Sequence, residues 1–505
     1  MKITKIITVT QFVTIIGIST LLSVSCSKYL SEIPDDRTTI NSDEKVELLL
    51  ASAYEGTTHY DITESMSDNV EDEGKKNHFQ RINDLAYKWE VNNIDQDEDS
   101  PLGYWVGCYK SIAVANQALA SISQLGDRPE DLPSRGEALL IRAYYHFMLV
   151  NLWAKQYNPQ TAATDPGIPY VTEPEEEPFK KYTRNTVQEV YDFIEKDLLE
   201  GLELVGSNYA SPKFRFTPES GKAFATRFYL NKGGNDSWAK IIQYASELLT
   251  SPSTQLRDWS VAYKSLSSDA LEIQYSSPDE PANIMVGASP SYYARYYAGS
   301  PGQFDLTQHL INALFNAPRP VSNSWAYKTY SYEIGGNQFV PKYTEHFVYT
   351  NQAAGIGNGF LQHVIFAYDE VLLNRAEAYA MVGNFEAARA DLAIFYEKKT
   401  SGYNRVTTPL TEEAIQKAFP AKENELSPYY TMTAQQKVYV KCIAEAKRME
   451  YLHEGLRWFE IRRLNLEVKH LILPQDNMIL KKDDPRRELQ IPAAAQESGL
   501  KPNVR

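Results

Sequence analysis

Cysteine is scarce. The 505 residues hold three, Cys26, Cys108 and Cys442, too few and too far apart for a fold stapled by disulfides. An excess of basic charge is also missing: 51 Lys and Arg face 65 Asp and Glu, for a net charge of −14. That balance argues against nucleic acid as a partner, because a phosphate-binding surface needs clustered cations. Beyond Leu22 no long apolar run occurs, so no helix after that point is expected to span a membrane. Familiar catalytic motifs are lacking too. There is no Gly-x-Ser-x-Gly elbow and no phosphate-cradling glycine loop with its lysine. His453-Glu454 opens like a zinc-protease helix, but Arg457 stands where the second His is needed. Asp95, Asp97 and Asp99 alternate as in a calcium loop, yet Ser100 and Val106 occupy the positions that need Gly and Glu. No catalytic residue, metal or cofactor is therefore expected. The many acidic residues leave a pair of glycosidase carboxylates open as an alternative.

What is present begins with residues 1–25, which read as a secretion signal. Lys2 and Lys5 start it, an apolar run extends from Ile6 to Leu22, and Ser23 and Ser25 precede Cys26. Cys26 in that place resembles the acylated cysteine of bacterial lipoproteins, although Ser23 stands where Leu is usual. Residues 26–45 read as a tether, with Pro34 and a polar run through Asp43. A single large domain is expected over 46–505, and the 43% hydrophobic content of the whole chain is enough for a sizeable core.

Helical spacing dominates that domain. Apolar residues recur at three and four positions in Val46–Tyr54, Tyr109–Ile122, Gly136–Trp153, Val187–Leu204, Ala223–Leu230, Trp238–Leu249, Tyr368–Met381, Phe385–Phe395 and Val438–Ile461. Cys108 and Cys442 fall in such segments and read as small core residues. Leu372, Ala376, Tyr379, Gly383, Phe385, Ala388 and Leu392 have the spacing of a tetratricopeptide helix pair. The small Ala376 and Ala388 permit close approach, and Gly383 permits the tight turn. Tyr229, Gly233, Trp238 and Ala245 form a looser copy. The acidic run Glu175-Glu176-Glu177 reads as a solvated loop. The charged run Glu454–Arg463, with Arg142, Arg375 and Glu377, reads as structural ion pairing.

Residues 270–360 differ. They are rich in Gly, Pro, Ser and Tyr and poor in helical periodicity, so a long irregular insertion with a few short strands is expected between helical parts at about 46–265 and 362–470. The insertion carries many of the chain's 34 tyrosines, which argues against disorder. Rings on loops suit sugar recognition, because they stack on the C–H faces of sugar rings while Asn, Asp and Arg bond the hydroxyls. The candidate ligand contacts are Trp89, Tyr292, Tyr293, Tyr296, Trp325, Tyr327 and Tyr330, with Arg295, Asn323 and Asp68 as polar companions.

Six pieces, in order, resemble the SusD/RagB family. They are Cys26-Ser27-Lys28-Tyr29-Leu30 with Pro34; Tyr104, Trp105, Tyr109, Ile112 and Asn116; and Arg142-Ala143-Tyr144-Tyr145 with Leu149. Next come Gly167-Ile168-Pro169 with Tyr182-Thr183-Arg184, then Glu370–Ala378, and finally Arg448, Glu450 and Glu454–Arg463. Glu460 departs from the family's usual Asp. The resemblance implies a mainly α fold with tetratricopeptide-like helix pairs. It also implies an outer-membrane, cell-surface lipoprotein that binds an oligosaccharide or peptide and serves a SusC-like TonB-dependent β-barrel transporter. A glycan is the expected ligand and a RagB-like peptide cargo the alternative. A surface glycan hydrolase and a tetratricopeptide adaptor are the readings from other classes.

Overall fold

The computed structural model describes residues 40–505, apart from 55, 75–81, 93–96, 176–179, 299–301, 332–337 and 475–476. The signal segment, Cys26, most of the tether, Asp95, Glu176 and Glu177 lie outside the described residues. Ser42–Arg505 form one compact unit, and it is mainly α-helical.

Helix α1 (Asp43–Ala51) is capped by Ser42, and α2 (Tyr60–Met66) follows it. The long α3 (Pro101–Leu125) starts at Ser100, whose Oγ accepts from Gly103 N, and ends at Gly126 in the left-handed region. Its hairpin partner α4 (Leu132–Trp153) is buried at almost every position from Ser134 onward. A helix buried all round belongs in the centre; its buried charges Glu137 and Arg142 are paired with Arg215 and Asp197, and neighbours cover it on several faces. One neighbour is α5 (Val187–Leu204), started by a reciprocal Thr186–Glu189 capping box. Glycine lets the two backbones meet: a Cβ on Gly136 would lie 2.2 Å from Val205 N, and one on Gly201 would lie 3.0 Å from Gly136 O.

The helices α6 (Pro218–Lys232) and α7 (Asn235–Leu248) pair across Gly233 and Gly234. The helices α8 (Tyr368–Met381) and α9 (Phe385–Lys399) pair across Gly383, at φ +80°. These are the two tetratricopeptide-like units that the spacing predicts, and α8 packs on both α6 and α7. Cys108 and Cys442 are buried free thiols.

Val438–Ile461 was expected to continue as one helix, and here the structure differs. Helix α10 (Ala434–Glu450) stops, and α11 (Arg457–Arg463) restarts after a turn. His453 and Gly455 have φ of +69° and +67°, and a Cβ on Gly455 would collide with Thr63 Oγ1 of α2. Close approach of a distant helix, rather than local propensity, breaks the run.

The segment 270–360 holds a three-stranded antiparallel sheet together with short helices. Strand β1 (Asn283–Pro290) and the hairpin β2 (Glu345–Asn351) and β3 (Ile356–Ala367) order as β1-β3-β2. Strand β3 runs directly into α8, which fixes the sheet to the helical pairs.

Candidate ligand-binding site

The seven aromatic residues singled out by sequence fall into two groups. Trp89, Tyr293, Trp325 and Tyr327 are buried. Trp89 donates its Nε1–H to Met66 O and stacks on His470 at 4.2 Å. Tyr293 stacks on Tyr297 at 5.4 Å between ring centroids. Trp325 stacks on Tyr396 of α9 at 5.6 Å, and Tyr327 donates to Glu450 Oε2 at 2.7 Å. The reason is a short backbone pairing. Ala326 N donates to Lys399 O and Ser401 N to Ser324 O, which pulls 324–327 onto the end of α9. These four rings pack the protein's interior.

Tyr292, Tyr296 and Tyr330 are half-buried. Tyr330 pairs with Phe339 across a two-residue ladder. Tyr292 sits where the sequence-predicted aromatics meet the β2–β3 hairpin. Its backbone N–H donates to Asp99 Oδ2 at 2.8 Å, and Ser291 Oγ donates to Asp99 Oδ1 at 2.6 Å. Burial, then the neighbouring Asp61, push the Asp99 carboxyl up to about 7. Asp99, which sequence placed in an incomplete calcium loop, instead clamps this turn.

Residues on one face of the hairpin complete the surface. Glu345, Phe347 and Tyr349 alternate along β2 opposite Leu361, Gly359 and Gly357 of β3. The glycines leave that face of β3 bare. A Cβ on Gly359 would lie 2.9 Å from the Glu345 carboxyl carbon and 3.1 Å from the Tyr292 ring. One on Gly357 would lie 2.8 Å from the Phe347 ring. The rings therefore lie down over the strand. Phe347 and Tyr349 meet edge to face at 4.9 Å, yet remain 39% and 55% exposed. At the other end Arg295 pairs with Glu345, its Nη2 to Oε1 at 2.6 Å, and lies 4.7 Å over the Tyr292 ring.

The result is a solvent-facing shelf of Tyr292, Phe347 and Tyr349, bounded by a compensated Arg295–Glu345 pair. Sequence reasoning named Tyr292 and Arg295 but missed Phe347, Tyr349 and Glu345. Their signal was alternation, Phe347 and Tyr349 opposite Gly357 and Gly359. Of the other polar companions, Asp68 is held by Arg457 at 2.8 and 2.9 Å, and Asn323 donates to Ser401 O. Among the described residues no group of three or more His, Cys, Asp or Glu side chains gathers as a metal site.

Residues 28–230 match the SusD-like family described as "Starch-binding associating with outer membrane". No curated protein matches the chain. Solved structures do. A SusD superfamily protein from Bacteroides thetaiotaomicron aligns over 92% of this chain and 100% of its own, at 17% identity and TM-score 0.68. A SusD-like protein from Bacteroides fragilis aligns over 94% and 99%, at 18% identity and TM-score 0.61. A SusD-like carbohydrate binding protein from Bacteroides vulgatus aligns over 91% and 96%, at 15% identity and TM-score 0.56. At such identities these likenesses establish the fold.

Proposed function

We propose that this chain, a SusD/RagB-type family protein, is a surface lipoprotein that captures a glycan and passes it to a SusC-like β-barrel transporter, without catalysing a reaction. The carrying observation is the shelf. Two of its rings are exposed on a paired antiparallel hairpin, and its flanking charges cancel. Such a surface offers stacking and hydrogen bonding to a neutral polyhydroxyl ligand and no net field for a charged one. The match of residues 28–230 to a family described as starch-binding and outer-membrane-associated supports the same reading. Each stacked ring contributes on the order of 1 kcal/mol, so capture is weak and release to a transporter is easy.

The test is titration of the purified protein with neutral oligosaccharides, beginning with maltoheptaose. The double variant Phe347→Ala, Tyr349→Ala should bind about tenfold or more weakly and melt at nearly the same temperature. Unchanged affinity in that variant would sink the shelf as the site.

One observation favours a peptide instead. Strand β2 is the edge of its sheet, and no strand pairs with its outer side among the described residues. An extended peptide would add there through backbone hydrogen bonds. Binding of tryptic peptides but not oligosaccharides, untouched by the ring substitutions, would select that reading.

A further inference from the structure

Deep in the helical layers, three buried side-chain oxygens border one cavity and have no hydrogen-bond partner among the described residues. They are Asn231 Oδ1 of α6, Asn374 Oδ1 of α8, and the hydroxyl of Tyr451 in the turn between α10 and α11. The three residues are 6%, 0% and 5% exposed. Burying one polar atom without a bond is costly, and three around one small space need a common cause. The cavity measures about 20 Å³ and lies where α4, α6, α8, α10 and α11 meet. It shares no residue with the shelf.

The rest of the network fixes what each atom can do. Asn231 Nδ2 donates to Arg227 O at 3.0 Å, and a carbonyl can only accept. Thr226 Oγ1 gives its proton to Ala223 O at 2.8 Å, so it accepts from Asn374 Nδ2 at 3.2 Å. Both amides are thereby oriented, and each has its carbonyl oxygen left over. Tyr451 keeps its proton, because burial, then the carboxylates of Glu370 and Glu460, push its pKa well above 10. The wall thus offers two acceptors and one hydroxyl donor. Its charges are already matched. Arg227 pairs with Glu370 at 2.6 Å, and Lys447 lies 3.4 Å from Glu460. All four line the cavity and sum to zero.

We infer that this cavity is the seat of one structural water, which donates to Asn231 Oδ1 and Asn374 Oδ1 and accepts from the Tyr451 hydroxyl. Water carries two donors and a lone pair on one centre, the complement of this wall. Roughly 10–15 Å³ admits one water, and two to four polar partners keep it. A sugar or a peptide is far too large for the space. An anion would face two carbonyl oxygens. A monovalent cation would suit the oxygens, but with the four charges balanced it would leave a net charge buried away from solvent. The water joins α6 and α8, the first helices of the two tetratricopeptide-like pairs, to the turn that separates α10 from α11. The break in that helical run is therefore held from inside as well as by Thr63.

Urea unfolding of the full chain tests this by sign. In a dry cavity the Tyr451 hydroxyl is a penalty, and Tyr451→Phe would lower the unfolding constant or leave it unchanged. With the water in place the same variant loses a bond, and the unfolding constant should rise roughly three- to tenfold. Asn374→Leu supplies a second measurement. No hydrogen bond links the Asn374 side chain to the Tyr451 hydroxyl, so without a shared water the two effects multiply independently. With it, the double variant should fall short of that product by about threefold or more, since either change alone already loosens the water. A high-resolution crystal structure decides the occupant, even where a variant fails to fold. Density within hydrogen-bond distance of all three oxygens, with no anomalous signal there after a thallous-ion soak, upholds the water. An anomalous signal makes the site a cation's and overturns the inference. Absent density, a stabilised Tyr451→Phe, or independent effects in the double variant overturn it equally.

Discussion

At the scale of single residues, two side chains separate recognition from support. Trp325 is 8% exposed and lies between Tyr327 and Tyr396. Trp325→Ala should therefore cost about 3–5 kcal/mol of stability, read as a lowered urea midpoint, with little change in ligand affinity once folded. His146 makes a sharper case. Its Nδ1 bonds Arg142 O at 2.8 Å, its Nε2 accepts from Val171 N at 3.0 Å, and its ring stacks on Tyr170 at 3.8 Å. Only the neutral ring with its proton on Nδ1 satisfies both bonds, and burial pushes its pKa from 6.5 down to about 3. The sign follows. Between pH about 6.5 and about 3 the unfolded chain binds a proton that the folded chain refuses, so this contribution is full above pH 6.5 and lost as pH falls. His146→Leu should be less stable by about 1–3 kcal/mol at pH 7.5. The gap should narrow at pH 5, where only the wild type carries the protonation penalty. A gap that is equal at both pH values in urea unfolding would show that His146 does not stay neutral.

At the scale of elements, α11 is fastened by charge buried inside the helical layers. Arg463 Nη1 and Nη2 reach Glu377 of α8 at 2.5 and 2.7 Å, and its Nε reaches Glu460 at 2.8 Å. Lys447 of α10 is the other cation, 3.3 Å from Glu377 and 3.4 Å from Glu460. Arg463→Met would leave two buried carboxylates sharing one lysine, a loss of about 3–5 kcal/mol. Adding Glu377→Met should return part of it, because the uncompensated charge goes too. No recovery in the double variant would mean that Arg463 acts through packing instead. The α8–α9 pair and the Glu460–Arg463 pair were legible in the sequence, since Ala376, Gly383 and the three-residue spacing carry local signals, whereas the link from Arg463 to Glu377, 86 residues away, was not. The break between α10 and α11 was not, because helical spacing runs on through Val438–Ile461 and the cause is Thr63 pressing on Gly455. The shelf was half legible. Glycines at 357 and 359 weaken strand propensity, and only pairing in space places them under Phe347 and Tyr349. Trp325 misled for the converse reason: a segment without periodicity reads as loop, and its backbone pairing with Ser401 and Lys399 is long-range.

At the scale of the whole molecule, the proposed membrane location raises the question of how an acidic chain would be held there. Its net charge is −14, which gives no attraction to anionic lipid. No helix among the described residues is long and apolar enough to cross a bilayer. The family that residues 28–230 match is described as associating with the outer membrane. On the proposed reading the chain is held by acyl chains on Cys26 or by a bound partner, and the two predict different things. An acyl chain contributes about 0.8 kcal/mol for each buried methylene, independent of any other protein. Cys26 precedes the compact unit Ser42–Arg505 in the sequence, and changing it is expected to leave that unit's melting temperature as it is. Cys26→Ala, expressed in cells without a partner transporter, should pass to the soluble fraction and take up no labelled fatty acid, with its melting temperature unchanged. The wild type in the same cells should stay in the membrane fraction and carry the label. With the transporter restored, part of the Cys26→Ala protein should return to the membrane and co-purify with a β-barrel in mild detergent. Wild-type protein that is unlabelled and soluble without the transporter would transfer the whole of its membrane association to the partner.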